Sequence, residues 1–281
     1  MMNEKINKAR RDKIWFVVLL GLAVIFLAPI LLIFINSFKG KLYISEDLFS
    51  LPNSTTFVGL DNYIRGIETV NFWYAFGYSV LITVLSVGTI VLLTSMTAWF
   101  IVRVKNKFTS ALYYLFVFSM IVPFQMVMFT LTWFANQMHL DNPLGIVFVY
   151  LGFGSGLSVF VFTGFIKSVP KEIEEAAIID GCGPIRTFFL VVLPILKPTV
   201  ITVSILNAMW IWNDYLLPYL LLGTEYKTIP IAIQYLQGSY GNTDYGALMA
   251  LLVLAIIPVI VFYLSSQKHI IKSITAGAVK G

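Results

Sequence analysis

Six long apolar runs, separated by short polar segments, dominate the pattern of the chain. Each run is long enough to cross a hydrocarbon layer of about 30 Å as a helix. A span must be helical because lipid offers no partner for free backbone groups. The predicted transmembrane helices cover residues 14–38, 76–102, 111–133, 144–165, 199–222 and 245–264. We therefore expect an all-α polytopic membrane protein with six transmembrane helices.

Composition supports the membrane class. Hydrophobic residues make up 58% of the 281 residues and charged residues only 12%, far from the mixture of a soluble domain. No linker or low-complexity tract divides the chain, so one membrane domain over residues 14–281 is the simplest expectation. A basic N-terminus, residues 1–13, precedes it, and a C-terminal tail, residues 265–281, ends it.

The distribution of lysine and arginine predicts the orientation. With a cytoplasmic N-terminus, 15 of the 19 basic residues fall in inner segments, as the positive-inside rule requires. Both termini and the polar loop of residues 166–198 then face the cytoplasm. The net charge of +5 is explained by this topology and by anionic membrane lipid, so it does not indicate a nucleic-acid partner.

The loop 166–198 is the most informative polar segment. Pro170 suits the first turn of a helix, and the glutamates within 172–175 follow near the positive end of the helix dipole. Gly181 can end that helix, because glycine tolerates the left-handed conformation. Pro184 can open a second short helix. The pattern predicts two short helices in this loop.

The first of these helices has a narrow face of small side chains. Ile173, Ala176 and Ala177 follow helical spacing, and such a face permits close approach of another helix. An amphipathic hairpin that lies at the membrane surface, with only a packing role, is the alternative from spacing alone.

The segment Glu175-Ala176-Ala177-Ile178-Ile179-Asp180-Gly181, followed by Val191-Val192-Leu193-Pro194, resembles the EAA signature of the membrane subunits of ABC importers. In that family the loop forms short helices that dock into a cleft on a separate ATPase subunit. The resemblance implies a permease with no ATPase activity of its own. The ATPase-coupling residues it implies are Glu175, Ala176, Ala177, Asp180, Gly181 and Pro184.

Three further segments resemble the carbohydrate branch of these importers, in particular the shorter permease of the maltose-transporter type. They are Trp212-Asn213-Asp214, Gly246-Ala247-Leu248-Met249-Ala250 and the end of the chain from Thr275 to Gly281. The likeness covers about residues 57–281. It implies the ABC type I importer permease fold and a subunit of a binding-protein-dependent importer for a sugar or oligosaccharide, in the plasma membrane of a prokaryote.

The same resemblance implies the partners. They are a second, homologous permease subunit, two ATPase subunits and an extracytoplasmic substrate-binding protein. No cofactor is expected on this chain, since ATP and Mg would bind the ATPase. The sugar itself is not readable from the sequence.

Two segments have roles implied only by the resemblance. The polar loop of Gln237, Gly238, Ser239, Tyr240 and Gly241 would contact the receptor, although such a turn usually only connects. The tail residues Gly277, Lys280 and Gly281 would lie at the ATPase interface, although a frayed terminus is the usual state of such a segment.

Asp214 is the only acidic residue within a predicted span. An ionisable group at that depth is costly and usually faces the bundle interior or a water-filled cavity. Indole and amide groups nearby have the chemistry that binds sugar rings. The candidate residues of the translocation path are Asn207, Trp210, Asn213, Asp214 and Gln125. The alternative is a polar network that caps and braces helices.

Enzymatic function is not predicted. The chain lacks the G-x-x-x-x-G-K-S/T phosphate loop, and we predict no catalytic and no metal-binding residue. Phe153-Gly154-Ser155-Gly156 lacks the first glycine of an intramembrane serine-protease motif. An ion-coupled secondary transporter is the main alternative, although such proteins usually have paired repeats and several midplane charges. A membrane-embedded enzyme is a weaker one.

Overall fold

The computed structural model describes the backbone of residues 2–236 and 243–278, and the side chains of residues 11–236 and 243–268. Within these residues the chain is helical, and its only extended pairing is an isolated bridge between Lys39 and Phe57. The predicted all-α class is confirmed.

The described helices are numbered here in chain order. They are α1 (Met2–Asn36), α2 (Lys41–Glu46), α3 (Asp61–Val70), α4 (Phe72–Arg103), α5 (Lys107–Ser119), α6 (Phe124–Gln137), α7 (Gly145–Ile166), α8 (Glu172–Ile179), α9 (Pro184–Thr187), α10 (Leu193–Ile195), α11 (Lys197–Asn213), α12 (Leu216–Leu222), α13 (Ile229–Gln234) and α14 (Tyr245–Ala278). A π-helical turn, Phe188–Val192, joins α9 to α10.

Among the described residues, four helical stretches are individually long and apolar enough to cross a membrane. They are Arg11–Asn36 within α1, the whole of α4 and α7, and Tyr245–Lys268 within α14. Two further candidates are bent pairs, α5 with α6 at 106° and Pro184–Ile195 with α11 at 78°. If each bent pair is one span, the number of spans is six, as the apolar runs predict.

The third apolar run is broken by its own proline. The sequence pattern predicts a continuous helix over residues 111–133, but α5 ends at Ser119 and α6 begins only at Phe124. Pro123 has an extended backbone at the start of α6, with ψ of 137°. Proline lacks the N–H that a continuing helix would need, which explains the break.

The fifth apolar run also differs from the predicted helix over residues 199–222. α11 ends at Asn213, and Asp214 is extended with ψ of 123° before α12 begins at Leu216. Mean hydropathy does not register this break because the residues on both sides of it are apolar. The predicted span is therefore two helices separated at a polar residue.

The chain divides into two compact units. One comprises Met1–Phe72 with Ile233–Pro258, and the other comprises Trp73–Ala232 with Val259–Gly281. Both the polar loop and the candidate path residues on α6 and α11 belong to the second unit, which therefore contains most of the chemistry of interest.

The first unit is organised around buried polar side chains. The amide of Asn62 donates to the carbonyl oxygens of Ser37 and Lys39, both at 2.8 Å. The fully buried Lys39 ammonium donates to the Asp47 carbonyl and the Ser50 hydroxyl, each at 3.0 Å. A side chain at Gly246 would collide with the Asn62 amide, so α14 can approach this network only through glycine.

The second unit has two hydrophobic clusters. One contains Ile90 of α4 and Ile146 of α7 with Leu217 of α12. The other contains Phe162 of α7 together with Phe188 of the π-helical turn, and it lies near the polar loop. The short helices after α8 are therefore attached to the long helices by buried apolar side chains.

Candidate functional site

The helix α8 in the polar loop begins after Lys171 and carries three glutamates in its first turn. The sequence pattern places the start of this helix at Pro170, but α8 begins at Glu172, two residues later. Asp180 occupies the position that follows the helix, and Gly181 has φ of +83°. The predicted role of Gly181 as the helix stop is confirmed, since an L-residue is strained at that angle.

A buried ion pair attaches α8 to the end of α4. The Arg103 guanidinium donates to both Glu174 carboxylate oxygens, with the shortest N···O distance at 2.6 Å. The two side chains are only 15% and 8% exposed. A two-point arginine–carboxylate contact fixes orientation as well as distance, so it determines how α8 lies on the bundle.

Two neighbouring groups complete this contact. The indole N–H of Trp99 donates to the Glu174 carboxylate at 2.9 Å, and Arg103 also donates to the Val169 carbonyl at 3.1 Å. The ring of Trp99 lies 5.7 Å from that of Phe188. A desolvated charge pair is stable only when its remaining hydrogen-bonding capacity is used, and these donors and acceptors use it. We call Glu174, Arg103 and Trp99 the anchor.

The opposite side of α8 is exposed. Glu175 and Ala176 are exposed, and Ile179 at the end of the helix is 84% exposed. Ile185 on α9 is 69% exposed. Asp180 also lies at this surface. The loop therefore has an apolar, partly acidic face that the chain itself leaves uncovered; we call these five residues the exposed face.

Ala177 does not belong to that face. It is only 9% exposed, and it follows Glu174 by three positions, so it shares the side of α8 that holds the anchor. The sequence pattern groups Ala177 with Ile173 and Ala176 on one narrow face. The structure divides this face, since Ala177 is buried whereas Ile173 and Ala176 are exposed. The role of Ala177 in ATPase coupling stays a prediction.

The second short helix begins as predicted. Pro184 occupies the first turn of α9, after Gly183 in an extended conformation. Thr187 and Phe188 are buried, and Phe188 packs in the cluster with Phe162. α9 therefore presents Ile185 outward while its far end is embedded.

Asp214 lies at the break between α11 and α12. Its carboxylate accepts a hydrogen bond from the Tyr150 hydroxyl of α7 at 3.0 Å. It also accepts from the backbone N–H of Leu216 at 3.1 Å, which caps the start of α12. The carboxylate thus joins three helices. This arrangement agrees with the alternative in which Asp214 belongs to a polar network that caps and braces helices.

Asn207 is buried between α11 and α7. Its amide donates to the Ser158 hydroxyl at 3.1 Å and to the Val203 carbonyl at 2.9 Å. A Cβ at Gly154 would lie 2.8 Å from the Asn207 amide oxygen, so this glycine permits the close approach of the two helices. The Gly-Ser run in α7 is a packing face.

The other candidate path residues are more open. Trp210 is half-exposed, and its ring meets the Tyr150 ring edge-on at 5.4 Å. Asn213 is exposed and donates to the Met209 carbonyl at 2.7 Å, while Gln125 near the start of α6 is exposed. Tyr150 brings Trp210 and Asp214 together, and sugar contact by these residues stays a prediction.

Several predicted site residues cannot be placed. The candidate receptor contacts Gln237, Gly238, Ser239, Tyr240 and Gly241 lie outside the described residues, as do Lys280 and Gly281 of the tail. The backbone of Gly277 lies in α14, which continues past the predicted end of the sixth span at Leu264 to Ala278.

Sequence reasoning missed the anchor. Glu174 was read as one of three glutamates that favour a helix start, and Arg103 only as a positive charge that sets topology. No local signal distinguishes Glu174 from Glu172 and Glu175, because which glutamate is buried depends on the side of α8 that packs against the end of α4.

The arrangement is that of an anchored helix with an uncovered apolar face in a polytopic membrane protein. Residues 90–276 match the family described as binding-protein-dependent transport system inner membrane component. The chain belongs to this family. It is a transport permease and a multi-pass plasma membrane protein.

Similar proteins cover nearly the whole chain. A probable starch degradation products transport system permease protein of Thermoanaerobacterium thermosulfurigenes is 41% identical over 92% of this chain and 93% of its own length. A multiple sugar-binding transport system permease protein of Streptococcus mutans is 36% identical over 99% of both chains.

A solved structure shares the fold. It is the crystal structure of a bacterial ABC transporter involved in the import of the acidic polysaccharide alginate, and one of its chains matches with a TM-score of 0.76 at 25% identity. The match covers 92% of this chain and 96% of the other. The type I importer permease fold expected from the resemblance is thereby supported along almost the entire chain.

Proposed function

We propose that this chain is one of two transmembrane permease subunits of an ATP-driven, binding-protein-dependent importer for a sugar or oligosaccharide. The family supports the importer class. The names of the two relatives given above refer to starch degradation products and to multiple sugars. The second subunit would be a homologous permease, and each permease would form half of the translocation path.

The observation that carries the proposal is the two-sided character of α8. Its anchor face is bound to α4 through Glu174, while Ile179 and Ile185 remain largely exposed in a polar loop. Exposed apolar patches with a polar rim mark sites of protein association. The occupant is an ATPase subunit that binds ATP and Mg, and closure of the two ATPases moves α8.

The roles of Glu175 and Asp180 follow from their positions. Both are exposed acids on the uncovered side of α8 or directly after it, so they are available to basic groups of an ATPase. Gly181 and Pro184 fix the turn that presents Ile185 beside them. Ala177 contributes indirectly, because its small side chain lets α8 lie close to its own bundle.

The remaining partners are assigned to the two sides of the membrane. With cytoplasmic termini, the segment 237–241 is extracytoplasmic and contacts a substrate-binding protein. Gly277, Lys280 and Gly281 then lie on the ATPase side. Asn207, Trp210, Asn213, Asp214 and Gln125 are candidates for the path of the sugar.

A charge placed on the exposed face tests the docking role. Ala176→Arg adds a long cationic side chain to the exposed face. Ser168→Arg adds the same side chain at another exposed position of the same loop, outside α8, and serves as its control. We expect Ala176→Arg to abolish copurification of the ATPase subunits and uptake, while Ser168→Arg retains both.

Insertion of both variants in the membrane is checked by the yield of monodisperse protein. Equal ATPase copurification in the two variants would remove the docking role from α8. Uptake that persists without ATP but stops when an ion gradient is collapsed would favour the secondary-transporter alternative instead.

A further inference from the structure

A cavity lies beside the anchor in the second unit. Its volume is about 540 Å³, within the range of about 300–1,000 Å³ common for small-molecule sites. The end of α4, the start of α5 and the end of α7 form its walls, together with the residues just before α8. It is therefore at one end of the membrane spans, where headgroups lie.

Positive charge dominates the wall of this cavity. Arg103, Lys105, Lys167 and Lys171 line it, and none of its lining residues is acidic. Arg103 is neutralised by Glu174. The three lysines are exposed, and they form no ion pair with any residue that the structure describes. We call this cavity the basic pocket.

The helix dipoles do not change the sign of the electrostatic potential in the basic pocket. Two helices, α4 and α7, end at the basic pocket, and two others, α5 and α8, begin there. Partial negative and positive ends of similar size therefore oppose each other. The lysine ammonium groups decide the potential, which favours an anion.

Exposed apolar side chains continue from the pocket along two helices, α5 and α7. Tyr114 lines the pocket and is exposed, and Phe118, one turn further along α5, is exposed too. Gly164 of α7 lies one turn before Lys167 and has open space beside it. Phe160, one turn earlier still, is exposed. This surface suits a hydrocarbon chain, which free phosphate does not have.

The aromatic wall is suited to the boundary between lipid and water. The Lys167 ammonium lies 5.5 Å from the centre of the Tyr113 ring, so the ring helps to position the charge. Tyrosine places an apolar ring and a polar hydroxyl at the same depth, which is typical of the headgroup level of a membrane.

We propose that the basic pocket binds the phosphate group of an anionic phospholipid, with Lys105, Lys167 and Lys171 as the cationic contacts and the lipid chain along the exposed sides of α5 and α7. Basic pockets between membrane helices on the cytoplasmic side are suited to such headgroups. The bound lipid would join α4 and α5 to the segment that leads into α8.

The test measures equilibrium binding of a fluorescent phosphatidylglycerol to the delipidated importer complex in detergent. Lys105→Gln/Lys167→Gln removes two charges from the basic pocket. Arg186→Gln/Lys197→Gln removes two charges from exposed positions outside it. Each lysine near a headgroup contributes about 1 kcal/mol, so we expect the pocket variant to bind about tenfold more weakly or worse.

The control variant should stay within about threefold of the unmodified protein, since neither of its charged side chains lines the pocket. Lys105→Arg/Lys167→Arg should retain binding, which separates loss of charge from loss of fold. Unlabelled phosphatidylcholine should not displace the probe.

Three results would overturn the proposal. One is equal loss of binding in the pocket and control variants. Another is displacement of the probe by phosphatidylcholine, and the third is displacement by millimolar inorganic phosphate, which would assign the site to a free anion. Because the readout is lipid binding to the assembled complex, it does not depend on which solute is transported.

Discussion

Removing the carboxylate of Glu174 should release α8 from the bundle. Glu174→Ala leaves the guanidinium of Arg103, which is only 15% exposed, without its counter-charge. The loss of one partner of a buried ion pair typically costs about 3–5 kcal/mol. An isolated helix of eight residues has little stability of its own, so that loss falls on α8.

The free energy lost in Glu174→Ala can be converted into a change in the population of the open state, and hence in the rate of hydrogen exchange. A change of about 1.4 kcal/mol is tenfold in an equilibrium constant, so a loss of about 3 kcal/mol raises the open population by more than about a hundredfold. Amide hydrogen exchange reports that population directly. The amide of Asp180, which donates to the Ala176 carbonyl at 3.0 Å, lies in the segment to be measured.

The neighbouring glutamate supplies a matched control. Glu175→Ala removes the same charge from the same turn and introduces the same side chain, but Glu175 is exposed. Surface substitutions usually change stability by no more than about 0.5 kcal/mol, so exchange should rise by less than about threefold. Under the proposed function, Glu175→Ala instead weakens binding of the ATPase.

A double variant isolates the charge. Arg103→Met/Glu174→Leu replaces the buried pair by apolar side chains, a change that is often neutral or stabilising. Exchange in the segment 172–181 should return to within about tenfold of the unmodified protein. If Glu174→Ala and Glu175→Ala exchange at the same rate in that segment, the anchor does not hold α8 and the reasoning fails.

The other predictions concern three packing details. Gly181→Ala should speed exchange at the end of α8, since φ of +83° costs an L-residue about 1–2 kcal/mol. Tyr150→Phe should lower the midpoint of thermal unfolding, because it removes the hydrogen bond to Asp214, and such a bond contributes about 0.5–1.5 kcal/mol. Gly156→Ala should lower that midpoint and Gly164→Ala should not, since only the first Cβ meets atoms at 2.7 Å. An unchanged midpoint for Tyr150→Phe, equal midpoints for the two alanine variants or unaltered exchange in Gly181→Ala would contradict the corresponding argument.

Sequence predicts the larger elements well and their interruptions poorly. Apolar runs locate the spans, because the cost of exposing polar backbone to lipid acts over about 20 residues and is visible in composition. The break at Asp214 depends on one carboxylate that bonds Tyr150, a residue 64 positions away. No local pattern contains that partner, so a continuous helix over 199–222 is what the sequence predicts.

The polar loop shows the same limit at a smaller scale. Gly181 and Pro184 were predictable, because each residue has a conformational preference that acts locally. The orientation of α8 was not predictable. Ala176 and Ala177 are the same residue type, and only the anchor determines which of them faces the bundle. Ala177 is buried and Ala176 is exposed for that reason alone.

Under the proposed function, transmission of force through α8 requires both of its faces. A helix bound only to an ATPase would move without moving the membrane spans, and one bound only to its own bundle would receive no force. Glu174 faces Arg103 at the end of α4, and Glu175 is exposed one residue later. Because α4 is a continuous helix of 32 residues, a displacement of its anchored end is carried along its length. Under the proposed function, Glu174 and Glu175 therefore lie on the two sides of α8 that mechanical coupling requires.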